Sequence, residues 1–319
     1  MNTGKYIFSQ LVGFLPKRVF DGIVKRHVGD KWVKHFTCWN QLLVMMFGQL
    51  AGCDSLREVL AIIDAIKSKS YHLGFGSGDI KLSNLSYANV NRDYKIFEEF
   101  AYHMINLAQS KRITRPFVLN SMFYAFDSTT IDLCMSLFEW AYFRKTKSGI
   151  RVHTLFDVVT QIPTYNHITE AKLHDVNVMD EISYEPNAFY IFDKGYYDLA
   201  GLYRIQSIGS MFIIRAKDHL MYEVVAGDEL LDRDDNVLLD QTIRLTGQLT
   251  KTKYPSEQRR IVYYAPGLKR TFTFLTNDFT IKAKDIAMLY KQRWQVELFF
   301  RRIKQHLRVL SFWEPVRTL

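Results

Sequence analysis

The sequence predicts an α/β protein in two parts. Residues 1 to about 112 read as an all-helical region. Residues 113–319 read as a mixed sheet-and-helix region carrying a β-rich insertion at about 215–280. Three observations support this. Apolar residues recur at helical spacing up to about residue 112. Past Pro116 the apolar runs become short, rich in aromatic and β-branched residues, and bounded by polar turns. From Lys282 to Val309 there is neither Gly nor Pro, and apolar and charged residues separate onto two faces, which predicts one long amphipathic helix.

Taken in order, the helical region begins with Tyr6, Leu11 and Phe14 at helical spacing. Runs through Leu42, Val44, Met45, Phe47 and Leu50, and through Ile96, Phe97, Phe100, Met104 and Leu107, follow. Asp54-Ser55 ahead of Leu56 marks a helix start. The glycines of Gly74–Asp79 suggest a phosphate loop, but no strand precedes them and no Gly-Lys-Ser/Thr follows, so a plain turn is expected. In the second region, Met122–Phe126 forms an apolar run into Asp127, and Phe189–Phe192 forms another into Asp193. Ile150–Val159 and Thr164–Thr169 read as strands, Leu199–Ile208 as a helix with Asp198 as its N-cap, and Met211–Ile214 as a buried strand. Short β-like pieces at Tyr222–Val225, Gln241–Leu245, Ile261–Tyr264 and Thr271–Leu275 make up the insertion.

Composition narrows the function. A 48% hydrophobic content with 23 Phe and 18 Tyr excludes a disordered chain. A net charge of +9 suits a polyanionic partner, nucleic acid or an anionic membrane surface, or simply a basic soluble protein. Cys38, Cys53 and Cys134 are odd in number and far apart, which argues against a disulfide framework or a zinc knuckle. No stretch reads as a signal peptide or membrane span, so the expectation is a soluble cytoplasmic protein with no membrane partner.

Three acids stand out as candidate catalytic residues. Asp127 and Asp193 each follow an apolar strand, and the carboxyl ends of strands in α/β sheets are where ligands gather. Either alone would pass for a turn or cap residue. The third is Glu297. On the long helix, Tyr290, Arg293, Glu297, Arg301, Lys304 and Arg308 follow one another at spacings of three or four and share one face. Glu297 is the lone acid there. Leu289, Val296, Phe300, Ile303, Leu307 and Leu310 form the opposite, apolar stripe. An ordinary solvated face with an Arg293–Glu297 ion pair would look the same in isolation. Three carboxylates beside basic groups, however, suit phosphodiester chemistry, with two Mg²⁺ ions about 4 Å apart as cofactor and Arg293 and Lys304 on flanking phosphates. Tyr290 and Trp294 offer stacking surfaces. His153, the pair His174-Asp175, and Asp157 are weaker candidates with plain structural readings.

Three motifs carry a resemblance: Phe126-Asp127-Ser128-Thr129-Thr130, Phe192-Asp193-Lys194-Gly195-Tyr196, and the Tyr290, Arg293, Glu297, Lys304 series. The chain resembles bacterial insertion-sequence transposases of the DDE superfamily, in the insertion sequence four branch. The resemblance implies a ribonuclease H-like core interrupted by the insertion, and a helical DNA-binding domain over residues 1–112. It implies cut-and-paste chemistry at transposon ends, with Asp127, Asp193 and Glu297 binding Mg²⁺ (Mn²⁺ substituting). Tyr290, Arg293, Arg301 and Lys304 would contact DNA phosphates. Double-stranded DNA at the terminal inverted repeats and the target, and a second copy of the chain in a homodimer on paired ends, are the implied partners, and association with the nucleoid follows.

Two departures qualify this. Relatives stack a flipped base on a Trp in the insertion; none lies between Asp193 and Trp294 here, leaving Tyr254, Tyr263 or Tyr264. Relatives also continue into Phe-Trp-Gly-Thr-Ser-Glu-Asn-Ala, where this chain reads Phe312-Trp313-Glu314-Pro315-Val316-Arg317-Thr318-Leu319. Loss of one nucleotide would produce that ending, so a truncated product is expected. A DNA-binding relic without catalysis, or another ribonuclease H-like nuclease, are the competing readings. Lys17, Arg18, Lys25, Arg26, Lys31 and Lys34 form a candidate phosphate-contacting surface.

Overall fold

The computed structural model describes residues 6–75, 78–111, 122–133, 142–144, 147–172, 175–227 and 236–306. The chain divides into two compact units: residues 1–110 with 132–139 and 301–319, and residues 111–131 with 140–300.

The first unit is helical, as the periodicity predicts. Its helices are α1 (Ile7–Val12), α2 (Lys17–Arg26), α3 (Cys38–Ala51), α4 (Leu56–Ala65), α5 (Ser70–Leu73), α6 (Leu82–Asn91) and α7 (Lys95–Lys111). Local signals set their ends. Thr37 and Asn40 form a reciprocal capping box at the start of α3, and Gly52 closes it in the left-handed conformation at φ 70°. Ser55 accepts from the Glu58 amide at 3.2 Å and caps α4. The first apolar series does not form a core face: Tyr6, Leu11 and Phe14 are exposed, and Phe8 is the buried residue of α1. A helix of six residues makes under two turns, too few for a stripe drawn across Tyr6 to Phe14 to hold. Cys38 and Cys53 are buried free thiols, and burial pushes the Cys38 thiol up to about 12. Cys134 lies outside the described residues.

The second unit is built on a ten-stranded sheet. Its strands are β1 (Met122–Leu133), β2 (Tyr142–Arg144), β3 (Lys147–Asp157), β4 (Ile162–Glu170), β5 (Ala188–Phe192), β6 (Met211–Arg215), β7 (Tyr222–Ala226), β8 (Val237–Leu245), β9 (Gln258–Ala265) and β10 (Arg270–Thr276). Their order is β2-β3-β1-β5-β6-β10-β9-β8-β7, with β4 paired to β3. The three central strands β1, β5 and β6 run parallel. The segment read as an insertion folds as antiparallel strands β7 to β10, and β10 joins β6. It interrupts the sequence but extends the same sheet.

Period-two alternation divides the central strands between two cores. Tyr124, Phe126, Tyr190, Phe192, Phe212 and Ile214 pack with Leu199, Leu202 and Ile205 of α8 (Leu199–Ser207). Phe123, Phe189, Ile191 and Ile213 face the other way, onto Ile286 and Leu289 of α10 (Ala283–Gln292). Ala125 and Phe156 pack against Val296 and Phe300 of α11 (Trp294–His306), which follows α10 and, in chain order, α9 (Gln248–Lys253). Covering on both faces explains why β5 is buried along its whole length. Each such aromatic contributes roughly 1.5–3 kcal/mol through burial.

The single long helix expected over 282–309 is two helices. Arg293 breaks it: its amide bonds Tyr290 O and its own carbonyl accepts from the Val296 amide, both three residues apart rather than four. That switch shortens the turn at Arg293, so α10 and α11 meet the sheet on different residues.

Candidate active site

Register builds the site. Phe126 stands opposite Phe192 in the parallel β1–β5 pair, and Phe192 opposite Ile214 in β5–β6. The next residues out are Asp127, Asp193 and Arg215. All three fall on the face that carries Phe123, Ala125, Phe189, Ile191 and Ile213, because each lies an even number of residues from them. That is the face covered by α10 and α11. Neighbouring strands lie about 4.8 Å apart, so the two aspartates are neighbours.

The α10–α11 junction supplies the rest. The Arg293 guanidinium donates to Asp127 Oδ2 at 2.6 Å and, through its other terminal nitrogen, to Glu297 Oε1. Tyr290 Oη donates to Asp193 Oδ1 at 3.2 Å. Asp127 Oδ1 accepts from the Ser128 amide at 2.8 Å. The four side chains Asp127, Asp193, Tyr290 and Arg293 thus form two bridges from the sheet to the helices, and Glu297 joins through Arg293.

Burial sets the electrostatics. Desolvation pushes Asp127 up to about 6, against the opposing pull of Arg293 and the Ser128 amide, with Glu297 and Asp193 adding to the rise. Arg293 loses from burial but is held above its ordinary range by Asp127, Tyr290, Glu297 and Asp193. Burial, then the Asp193 charge, pushes Tyr290 up to about 12, so its hydroxyl keeps its proton. Asp127 and Glu297 therefore share the Arg293 cation. Among the described residues no group of three or more His, Cys, Asp or Glu gathers closely enough to hold a metal ion; the guanidinium of Arg293 takes the space between Asp127 and Glu297. The adjacent Asp127 and Asp193 do supply the hard oxygen donors that a divalent cation prefers.

A cavity of about 510 Å³ opens beside Asp193. Arg215, Tyr263, Phe272, Tyr290, Arg293 and Trp294 line part of it. Trp294, 47% exposed, faces this space rather than the core. The Arg215 guanidinium lies 5.2 Å from the Phe272 ring. Of the three tyrosines offered for stacking, Tyr254 is buried beside Tyr203 and Phe212 and donates to Gln206, which removes it; Tyr263 lines the cavity. Sequence reasoning missed Arg215, although the rule that singled out Asp127 and Asp193 applies equally to the residue after Met211–Ile214.

The remaining candidates separate cleanly. Arg301 and Lys304 lie about one and two turns beyond Glu297 on α11, in residues grouped with the other unit. His153 is fully buried and paired with Thr169 Oγ1 at 3.0 Å. Asp157 accepts from the Val159 and Thr160 amides, and Asp198 caps α8 by accepting from Gly201 N at 2.9 Å. His174, Arg308, Leu307, Leu310 and the ending read as truncated lie outside the described residues. No helix among the described residues is long and apolar enough to cross a membrane.

Residues 121–312 match the family described as a transposase DDE domain, and residues 3–76 match one described as a domain of unknown function (DUF4372). The chain is 36% identical over 196 residues to a Sinorhizobium fredii (strain NBRC 101917 / NGR234) protein described as a transposase, covering 60% of this chain and 54% of that one. It is 29% identical over 185 residues to a Geobacillus stearothermophilus protein described as a transposase for insertion sequence element IS5377, covering 57% and 48%. The chain thus spans about half the length of these relatives. Among solved structures, a piggyBac transposase synaptic complex with hairpin DNA aligns over 98% of this chain and 71% of that one, with TM-score 0.44 and 10% identity, a likeness too low to argue from.

Proposed function

Since this chain belongs to the transposase DDE domain family, we propose that it cuts DNA at transposon ends and joins the freed 3′ ends to target DNA. Asp127, Asp193 and Glu297 are its reacting-site acids, on a ribonuclease H-like core of the insertion sequence four branch. One observation carries the reading: the β1–β5 register sets Asp127 beside Asp193 on the sheet face where Arg293 links Asp127 to Glu297.

Each residue has a definite task. Asp127 and Asp193 would hold Mg²⁺ or Mn²⁺, with Glu297 joining when Arg293 releases it. Such ions, when bound, lower the pKa of the attacking water and neutralise charge on the leaving oxygen. Arg293 has a planar fork suited to a phosphate, so an arriving DNA backbone competes with the two carboxylates for it. Tyr290 keeps its proton and donates it to Asp193, holding that carboxylate in place until a phosphate oxygen takes over the hydrogen bond. Arg215, Arg301 and Lys304 add positive charge along the DNA path. Tyr263, which lines the cavity beside Asp193, would stack a base taken out of the duplex. The substrates are double-stranded terminal repeats and target DNA, bound by a homodimer on paired ends, in the cytoplasm at the nucleoid.

The test is strand cleavage of a labelled duplex carrying the element's own end, with Mg²⁺, comparing the chain with Glu297→Gln. The expected result is nicking by the chain and a loss of a thousandfold or more in the variant, on the order seen when a group acting in the transition state is removed, with DNA binding retained. Equal nicking by both removes Glu297 from the site. Binding without nicking by either favours the non-catalytic DNA-binding reading.

A further inference from the structure

The helical unit holds a second site that the catalytic reading does not use. After α2 the chain makes a loop through residues 27–37 before α3 begins. Two residues in it, Val28 at φ 52° and Trp32 at φ 64°, occupy the left-handed region, which β-branched and bulky residues rarely hold. Trp32 is also 90% exposed. Large aromatic rings are normally at least half covered, so an uncovered indole on a strained turn marks a candidate contact surface.

This loop is anchored. Asp30 Oδ1 accepts from the Cys38 amide at 2.7 Å. Arg92, its side chain only 9% exposed, donates to Gln41 Oε1 at 3.0 Å and to the Phe36 carbonyl, with its guanidinium 5.5 Å from the Phe36 ring and 3.7 Å from Asp30. Gly29 sits where a Cβ would come within 2.4 Å of Ile96 Cδ1. Trp32 is therefore presented by a fixed scaffold, which lowers the cost of ordering it on binding.

Between this loop and α6 runs a groove of about 450 Å³. Its lining includes Lys31, Trp32, Lys34, Tyr87, Asn91 and Arg92, and no acid. Tyr87 is 70% exposed, and Asn84, Tyr87 and Asn91 follow at spacings of three and four on one face of α6. Of the other cations suggested for phosphate contact, Lys17 and Arg26 are paired with Asp21 and Glu99, and Arg18 and Lys25 lie on α2, outside the groove's lining. The groove's own lining carries Lys31, Lys34 and Arg92 with no carboxylate beside them in it. An apolar protein partner would bury Lys31 and Lys34 without compensation; a polyanion with flat apolar rings meets both features.

We propose that this groove binds an unpaired stretch of DNA. Bases stack on Trp32 and Tyr87, phosphates lie at Lys31 and Lys34, and Asn84 and Asn91 face base edges. Duplex DNA buries its base faces in its own stack, so exposed indole and phenol rings favour a strand that has been opened. The proposal rests on the DNA-processing reading above, in which opened strands arise at a cut end.

The test uses the full chain, a fluorescent 12-nucleotide single strand of mixed sequence and a 20-base-pair duplex, read by anisotropy at 50 and 200 mM salt. Trp32→Ala is expected to weaken single-strand binding by about tenfold and duplex binding by less than about twofold, with Tyr87→Ala a smaller change in the same direction. Lys31→Gln with Lys34→Gln is expected to lower the single-strand salt slope by about 1 to 1.5. Equal thermal midpoints for all variants separate lost contact from lost fold. If the parent binds the single strand and neither set of changes weakens it, the groove is not the site. If Trp32→Ala weakens duplex and single strand alike, the preference for unpaired DNA is overturned. If the parent binds neither DNA, this proposal and the transposase reading fail together, whereas end cleavage that depends on Glu297 alongside an inert groove leaves that reading standing.

Discussion

Charge is handled in opposite ways at the strand ends of the sheet and in the loop after α2. At the strand ends, Asp127 and Arg293 are largely buried, tied to one another and to Glu297. In the loop, Lys31, Trp32 and Lys34 stand in solvent on a scaffold held by the buried Arg92. Buried groups gain strong interactions but are costly when a partner is lost; exposed ones are cheap to change and act mainly through whatever ligand they meet. The strand-end face should therefore fail through stability and protonation, and the exposed face only through binding.

The largest effect expected from that contrast is on stability at Arg293. Arg293→Gln leaves Asp127 and Glu297 without their shared cation in a desolvated site. It should cost about 3–5 kcal/mol in urea unfolding near pH 8. The cost should shrink below pH 6, where Asp127 takes a proton. Arg293→Lys keeps the charge but loses the fork, and should fall between the two. A loss under about 1 kcal/mol for Arg293→Gln would mean that the bridge from Asp127 to Glu297 does not form in solution.

Next in size is the pH response. Asp127 is raised on folding to about 6, against roughly 3.9 for a free aspartate. A raised carboxylate favours the protonated folded form, so its ionisation removes stability as pH climbs from about 4 to about 6. Function runs the other way, because the ionised carboxylate is needed to accept from Arg293 or to bind a cation. Cleavage should rise about tenfold per pH unit up to about pH 6 and then level off. A rate flat down to pH 4.5 would show that Asp127 is already ionised there in the cation-loaded site.

The smallest effect belongs to an exposed pair. Lys17 and Asp21, four residues apart on α2, are both more than half exposed. Lys17→Ala should leave the urea midpoint unchanged within error. A measurable drop would show that surface charge in the helical unit supports its fold as well as a partner.

Much of this was legible in the residues alone, where the physics is local. Short apolar runs at Met122–Phe126 and Phe189–Phe192 marked the strands, and the acid after each marked its end. Three- and four-residue spacing put Tyr290, Arg293 and Glu297 on one face. The same local rules found the caps Ser55 and Asp198. They failed where a pattern was extended past what its element could support. Tyr6, Leu11 and Phe14 suggested a core stripe, but α1 is too short to have one. Residues 282–309 suggested one helix, but the chain changes its hydrogen bonding at Arg293.

What the sequence by itself determined was the set of groups: three acids at the ends of apolar runs or on a basic face, a helical first region and a β-rich segment before the last helices. What only the tertiary structure decided was their pairing. Parallel register aligned Phe126 with Phe192 and so made Asp127 and Asp193 neighbours, though 66 residues separate them in the chain. The β5–β6 register brought Arg215 into line, and packing against Tyr203 and Phe212 left Tyr254 in the core. Exposure of Trp32 was likewise invisible, since an indole beside two lysines reads equally well as core or surface. Local spacing fixes which face of an element a residue occupies, but which elements meet, and which rings remain uncovered, depends on long-range burial that no single stretch of sequence contains.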